Sequence, residues 1–262
     1  MDKMISAVML SWKRPDNVYK IVGELKKISI IDDIVIWNNN PEEKLLPLDS
    51  IPDVRVIRPN YNFGMNVRWH ASLLAKHPTI YMQDDDIIVS ESGINTLYEM
   101  WKRDPNIICG AYGRNPRLNS YNLINIYPKA EMILTSCMIF KREYANTVLA
   151  LLANTNRDMY DRINSNGEDI FFSYVVMSLT RKRNQAIDIS DAIECLPAPH
   201  ALYAKTGHVD QRTAVMTYCR KRFHIHTAAD FLFYPLIKIK LHHPAVYNKL
   251  KSVALRFLNR KA

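Results

Sequence analysis

The chain has 262 residues, 48% of them hydrophobic, which allows one large α/β domain with or without a small appendage and excludes disorder as a whole-chain reading. Its formal net charge of +9 is concentrated at one end: from Gln211 onward eleven Lys and Arg face a single acid, Asp230, so the tail carries +10 and everything before it −1. No apolar run approaches the ~20 residues of a membrane span, no signal-peptide layout precedes the first strand, and Cys109, Cys137, Cys195 and Cys219 share no CxxC spacing. Buried thiols in a reducing cytoplasm are expected rather than zinc or disulfides.

In chain order, Met4 to Leu10 reads as a first core strand, and Ser11 to Asp16 as a loop, with Asp16 or Asn17 capping a helix through about Lys27. Ile30 to Trp37 is a second strand, ending in the turn-forming run Asn38-Asn39-Asn40-Pro41. Val54 to Ile57 is a third, followed by a polar turn over Asn60 to Gly64. Asn66 to Lys76 reads as a helix closed by His77-Pro78, and Thr79 to Met82 as the strand behind it. The order β-α-β-β-α-β, with short apolar strands and polar carboxyl ends, predicts a mostly parallel sheet flanked by helices.

The second half is less regular. Ser92 to Arg103 is a helix, Ile107 to Gly110 a strand, and Arg114 to Asn122 a polar loop. Met132 to Phe140 reads as one buried strand and Glu143 to Ala153 as a helix. Asn164 to Gly167 is a turn, after which Glu168-Asp169 opens an apolar helix, Ile170 to Leu179, and Ala186 to Ile189 is a late strand.

Ligands of such sheets bind at the carboxyl ends of the strands. Arg14, Asn38-Asn39, Asn62 to Arg68 and the consecutive acids Asp84-Asp85-Asp86 all fall there. Three acids wedged between the apolar segments Thr79–Met82 and Ile87–Val89 need compensation. On an extended chain positions i and i+2 point the same way, so Asp84 and Asp86 can hold one divalent cation together. An all-oxygen site suits Mn²⁺ or Mg²⁺, a metal that neutralises charge on a diphosphate. The competing reading is a solvated acidic turn capping the next helix.

Four segments, Ile34-Val35-Ile36-Trp37-Asn38-Asn39, Pro59-Asn60-Tyr61-Asn62, Asp84-Asp85-Asp86-Ile87 and Gly167-Glu168-Asp169-Ile170, resemble the exostosin-type glycosyltransferase domain in the order that family has them. The resemblance covers about Met4 to Tyr218 and implies the GT-A fold, with a nucleotide-sugar half over residues 1–90 and an acceptor half over 91–218. A basic helical extension, 219–262, would follow. Lacking the membrane anchor, long amino-terminal domain and cysteine pairs of animal members, the chain reads as a bacterial relative concerned with surface polysaccharide.

The resemblance implies that Asp86 holds the metal with Asp84 near the ribose, and that Asp85 lies beside them in the nucleotide-sugar site. Arg14, Asn39, Asn62 and Arg68 are candidates to grip the nucleotide, since guanidinium forks suit phosphate and amides suit base edges. Turn asparagines and loop arginines need no ligand, however. Asp169 would face sugar and acceptor with Glu168 beside it, stabilising charge at the anomeric carbon; in an inverting enzyme Asp169 is instead the general base. Both acids also suit a simple helix N-terminus. Gly207 to Arg212 resembles the loop that closes over the diphosphate, with His208 on phosphate and Arg212 on the leaving group; a mobile basic loop is the alternative. The donor implied is UDP-linked, a UDP-N-acetylhexosamine, the acceptor a glycan or lipid-linked sugar, and the stereochemistry retaining.

In the tail, Val246, Leu250, Val253 and Phe257 form an apolar stripe among Lys249, Lys251, Arg256 and Arg260, downstream of Phe231 to Lys238. Such a helix either lies on an anionic membrane, placing the protein in the cytoplasm on the inner membrane face, or packs on the body. Nucleic acid is not expected as a partner, because the basic residues are not on the half carrying the motifs. His224-Ile225-His226 and His242-His243 lack accompanying acids or cysteines and are not expected to bind metal. A nucleotidyltransferase is disfavoured, since Met4 to Pro15 contains no glycine.

Overall fold

A computed structural model describes residues 4–117, 120–199 and 206–225. Contacts divide the chain into two compact units, Met1–Phe223 and His224–Ala262. The strands are β1 (Ile5–Ser11), β2 (Ile31–Asn38), β3 (Val54–Ile57), β4 (Thr79–Asp84), β5 (Ile87–Val89), β6 (Cys109–Gly110), β7 (Gly113–Arg114), β8 (Lys129–Ala130), β9 (Met132–Ile133), β10 (Cys137–Lys141), β11 (Asn184–Ala186) and β12 (Ile193–Cys195). The helices are α1 (Pro15–Leu25), α2 (Val67–Leu73), α3 (Glu91–Lys102), α4 (Glu143–Ala153), α5 (Arg157–Asn166), α6 (Glu168–Thr180) and α7 (His208–Arg222). No helix among the described residues is long and apolar enough to cross a membrane.

One eight-stranded sheet runs β3-β2-β1-β4-β10-β6-β11-β8, and the first four strands are parallel. β10 enters antiparallel between β4 and β6, so strands from both expected halves share one sheet. The mixed, mostly parallel α/β architecture is as expected. β1 is buried at every residue, as a central parallel strand covered on both faces requires. Its Ser6 hydroxyl, deep in the core, donates to the buried Asp33 carboxylate at 2.6 Å. Along α1, Val18, Ile21, Val22 and Leu25 face the core. α6 is buried from Glu168 to Met177 and is the central helix, its Phe172 stacked on Trp69 of α2 at 4.2 Å and meeting Phe140 of β10 edge-on.

Several local expectations are corrected. α1 begins at Pro15 with no side-chain cap, because proline at the first turn needs no N–H partner; Asn17 turns inward instead. The polar loop from Arg114 begins inside β7, and the late strand is Asn184–Ala186, earlier than Ala186–Ile189. Met132 to Phe140 is two strands, broken at Leu134–Ser136, where Thr135 and Ser136 turn toward carboxylates. Asn164 to Asn166 is the last turn of α5, whose N-cap Asn156 accepts from Met159 N at 3.0 Å. The expected Gly207–Arg212 loop is the start of α7, opened by Gly207 at φ +78°.

α7 crosses the expected boundary at Tyr218, and Cys219 is fully buried. Cys109 and Cys137 are buried free thiols as well, whereas Cys195 is exposed. The aromatic segment Phe231–Lys238, the stripe Val246 to Phe257, His226 and His242-His243 lie outside the described residues.

Candidate active site

β4 ends at Asp84, and alternation along the chain divides the three acids. The side chains of Asp84 and Asp86 stay 22% and 25% exposed, while that of Asp85 is 6% exposed and turned into the body. Asp85 accepts from Trp12 N at 2.8 Å and from Arg14 Nη1 at 2.5 Å, and its carbonyl accepts from Asn17 Nδ2 at 3.0 Å. It therefore ties the turn after β1 to the end of β4. Arg14 also reaches Asp86 Oδ2 at 3.1 Å and donates to Pro199 O at 3.2 Å. Burial and the nearby Asp84 carboxylate push the Asp86 carboxyl up to about 6. Burial likewise raises Asp85, against the pull of Arg14.

Beneath this edge lies a layer of buried arginine–carboxylate pairs. Arg68, on α2 and 3% exposed, donates from Nη2 to Asp84 Oδ1 at 2.6 Å, and its Nε stands 3.4 Å from Glu168 Oε1. Burial works against its charge, but Asp84 and Glu168 outweigh that and hold it raised. Ser136 Oγ donates to Asp84 Oδ2 at 2.7 Å, and Thr135 Oγ1 to Glu168 Oε1 at 3.3 Å. Burial, then the Asp169 carboxylate, push Glu168 up to about 7.

Asp169 accepts from Ile170 N at 2.7 Å and from Arg212 Nη2 at 2.5 Å. Arg212 comes from α7, lies 4.4 Å over the Tyr121 ring, and points Nη1 at Asn166 Oδ1, 3.4 Å away. Burial opposes the Arg212 charge, yet Asp169 keeps it well above its usual range. His208 Nδ1 meets Asn166 Nδ2 at 3.1 Å. This approach of α7 requires Gly167: a Cβ there would stand 2.9 Å from Val215 Cγ2.

The expected amides serve a neighbouring loop. Asn39 Nδ2 donates to Gly64 O at 2.7 Å, and Asn39 Oδ1 accepts from Phe63 N at 3.2 Å. Asn62 Oδ1 accepts from Gly64 N at 2.8 Å, closing a turn through Gly64 at φ +84°. From α5, Asn164 Nδ2 donates to Phe63 O at 2.8 Å while its Oδ1 accepts from Asn66 N at 2.9 Å.

The fold thus gathers Arg14, Arg68, Asp84, Asp85, Asp86, Glu168, Asp169 and Arg212 into linked ion pairs, sets His208 against the same cluster through Asn166, and leaves Asn39 and Asn62 as loop latches. Sequence reading missed Ser136, Thr135, Tyr121, Asn164 and Asn166. The polar pair Thr135-Ser136 inside the apolar run Met132–Phe140 was a usable signal; Tyr121 offered none.

A divalent cation fits the donor chemistry. Asp84 and Asp86 offer partly exposed carboxylate oxygens, and among the described residues no imidazole or thiolate is hydrogen-bonded to either. Among the described residues no group of three or more His, Cys, Asp or Glu could hold a metal, so most of a cation's coordination would come from substrate and water, as Mg²⁺-type sites allow.

The model of the glycosyl transferase family 64 domain matches residues 5–241. Exostosin-2 of Mus musculus is 22% identical over 187 residues, 68% of this chain and 26% of that protein. The exostosin-like-3 homolog of Caenorhabditis elegans is 23% identical over 228 residues, 82% of this chain and 27% of that protein. Glycosylinositol phosphorylceramide mannosyl transferase 1 of Arabidopsis thaliana is 23% identical over 281 aligned positions, 98% of this chain and 78% of that protein. The chain thus spans about a quarter of the length of the exostosin relatives. Among solved structures, GalNAc-T7 with UDP, GalNAc and Mn²⁺ superposes with a TM-score of 0.56 at 11% identity, covering 92% of this chain and 58% of that one, a likeness of fold.

Proposed function

The chain belongs to the glycosyl transferase family 64 domains, and from that premise we propose that it moves a sugar from a nucleotide-sugar donor to a glycan or lipid-linked acceptor. The donor we propose is UDP-linked, a UDP-N-acetylhexosamine, the cofactor Mn²⁺ or Mg²⁺, and the product surface polysaccharide. The observation that carries this reading is the split of the acidic run: Asp84 and Asp86 remain partly exposed at the carboxyl end of β4, over a buried arginine–carboxylate layer.

Asp86, with Asp84, would hold the cation, which when bound neutralises charge on the diphosphate. Arg14 bridges Asp85 and Asp86, so ligand binding frees a guanidinium for phosphate. Arg68 keeps Asp84 oriented from below. Arg212 holds the Asp169 carboxylate in place, and His208 completes the α7 side of the site. Asp169, held by Arg212 and Ile170 N, is the carboxylate we propose to stabilise positive charge at the anomeric carbon, with retention of configuration.

A thermal-shift screen of nucleotide sugars with and without Mn²⁺ tests the donor. Stabilisation by UDP-sugars that requires the metal is expected; no stabilisation by any nucleotide sugar would overturn the reading. The anomeric configuration of the product, read by NMR, decides retention. We also propose that the basic extension holds the protein on the cytoplasmic face of an anionic membrane. Truncation after Tyr234 should release it from anionic liposomes, and equal retention would make the tail structural.

A further inference from the structure

Single exposed apolar side chains are ordinary on a protein surface, but a run of them needs a reason. The loop between β7 and β8 carries such a run, Leu123-Ile124-Asn125-Ile126-Tyr127-Pro128. Leu123 and Ile124 are each 56% exposed and Tyr127 38%; Asn125 and Pro128 are exposed, and Ile126 is half-buried. The backbone around them is tied down. Tyr121 N donates to Thr213 Oγ1 of α7 at 3.0 Å, Ile124 N to Asn122 Oδ1 at 3.2 Å, and Ile126 N to Gly113 O at 3.1 Å. Tyr127 Oη donates to Ala111 O at 3.2 Å, and Pro128 O accepts from Ala186 N at 2.7 Å. These bonds fix the loop with Leu123 and Ile124 facing solvent.

Charge along the loop has one sign. From Pro105 to Ala130 there is no Asp or Glu, and the bases are Arg114, Arg117 and Lys129. Arg114 is buried and bonded to Asn125, while Arg117 and Lys129 flank the run with exposed side chains. From a neighbouring segment, Asp188 comes close enough to Tyr127 to raise its phenol beyond the effect of burial, with Arg114 opposing. Aliphatic side chains at a loop tip between bases suit the boundary of an anionic bilayer, where the apolar groups leave water and the bases meet headgroups. A protein partner could cover the same atoms, but a stable interface takes about 20–30 residues a side, and this run has six. Among the described residues the other adjacent exposed pair, Leu73-Leu74, has a different setting. It lies close in the chain to Lys76, which bonds the Asp32 carboxylate through Nζ and that of Asp33 through N. Position also favours the loop. Tyr121, two residues before Leu123, is the ring under Arg212, and Arg212 holds Asp169.

We propose that Leu123 to Pro128 is a membrane-contact tip, which dips Leu123 and Ile124 into the headgroup boundary of an anionic bilayer while Arg117 and Lys129 meet its phosphates. It needs neither the sugar-transfer reading nor the basic extension. Together with the transfer reading, it sets the Asp169 side of the site toward a lipid-linked acceptor.

The test uses the full chain, so the extension is present in every variant. Co-sedimentation with phosphatidylcholine–phosphatidylglycerol vesicles, at low and high salt, compares wild type with two double variants. One is Leu123→Asn with Ile124→Asn, the other Leu73→Asn with Leu74→Asn; all four side chains are exposed, so both should fold. Wild type should bind, the Leu123/Ile124 variant should partition about tenfold more weakly, and the Leu73/Leu74 variant should match wild type. The gap should persist at high salt, which screens the bases of the loop and the extension but not an apolar contact. In Ile124→Trp, brominated lipids should quench fluorescence beyond the quenching seen in wild type. Absence of wild-type binding, equal binding by the Leu123/Ile124 variant, an equal loss in the Leu73/Leu74 variant, or no added quenching would each overturn the proposal. A wild-type dimer that the Leu123/Ile124 substitutions dissociate, with vesicle binding unchanged, would make the tip a subunit interface instead. None of these measurements involves a nucleotide sugar, so their outcome is independent of the transfer reading.

Discussion

The three strand-end aspartates and the helix-borne pair Glu168-Asp169 use the same chemistry at different depths. Asp84 and Asp86 keep about a quarter of their side-chain surface in solvent, while Glu168, Asp169 and Arg212 are 3–6% exposed. A carboxylate that keeps part of its surface in water can exchange an arginine for a cation at less cost than a fully buried one. A buried one cannot lose its partner without stranding a charge. The acidic edge is thus suited to exchanging ligands and the layer below to holding geometry.

The largest effect should come from breaking the lower layer. Arg212→Ala leaves Asp169 buried without its partner and should lower stability by about 3–5 kcal/mol in urea denaturation. Replacing both, Arg212→Met with Asp169→Leu, should restore most of that stability while transfer stays lost. If the double variant were no more stable than Arg212→Ala, the pair would not be the source of the loss.

At the edge the loss should fall on binding instead of folding. Asp86→Ala should weaken metal-dependent UDP binding by more than about a hundredfold, with the melting temperature nearly unchanged. A large drop in melting temperature would erase the proposed distinction between the layers.

A smaller, pH-dependent effect belongs to Glu168. Its carboxyl is raised from 4.5 to about 7, so the folded protein keeps a proton that the unfolded chain has released across that window. Stability should therefore fall as pH rises through it. Glu168→Gln should remove that slope, visible as a growing melting-temperature advantage of the variant toward pH 7. Identical slopes would mean that Glu168 is ionised in the folded protein throughout. The smallest change is Ser136→Ala, which removes one hydrogen bond to Asp84 and should cost about 1 kcal/mol by the same denaturation measurement.

Legibility followed the regularity of the backbone. β1, β2, β3 and α3 lie close to where apolar runs and periodicity put them, because each buries a continuous face. α5 passed unseen: Arg157–Asn166 is mostly polar, with Ile163 its one buried apolar side chain, so its placement comes from contacts with α6 and α7. The break inside Met132–Phe140 was hidden by uniform hydropathy, although Thr135-Ser136 marked the spot. Among site residues the acids stood out because acids between apolar strands are conspicuous. Arg14, Arg68 and Arg212 were reached through the family resemblance, whereas Thr135, Ser136, Tyr121, Asn164 and Asn166 were not, because hydroxyls, asparagines and single aromatics are ordinary in loops and strands.

Local pattern was enough for the strand-end acids, the i, i+2 relation of Asp84 and Asp86, and the parallel α/β order, since these depend on neighbours within a few residues. Which groups pair with which is settled by long-range packing. Arg14 meets Asp85 across 71 residues, Arg212 meets Asp169 across 43, and Asn39 is spent on a loop 24 and 25 residues away. Such pairings follow from which faces the sheet and α6 bury together, and no local pattern encodes that choice.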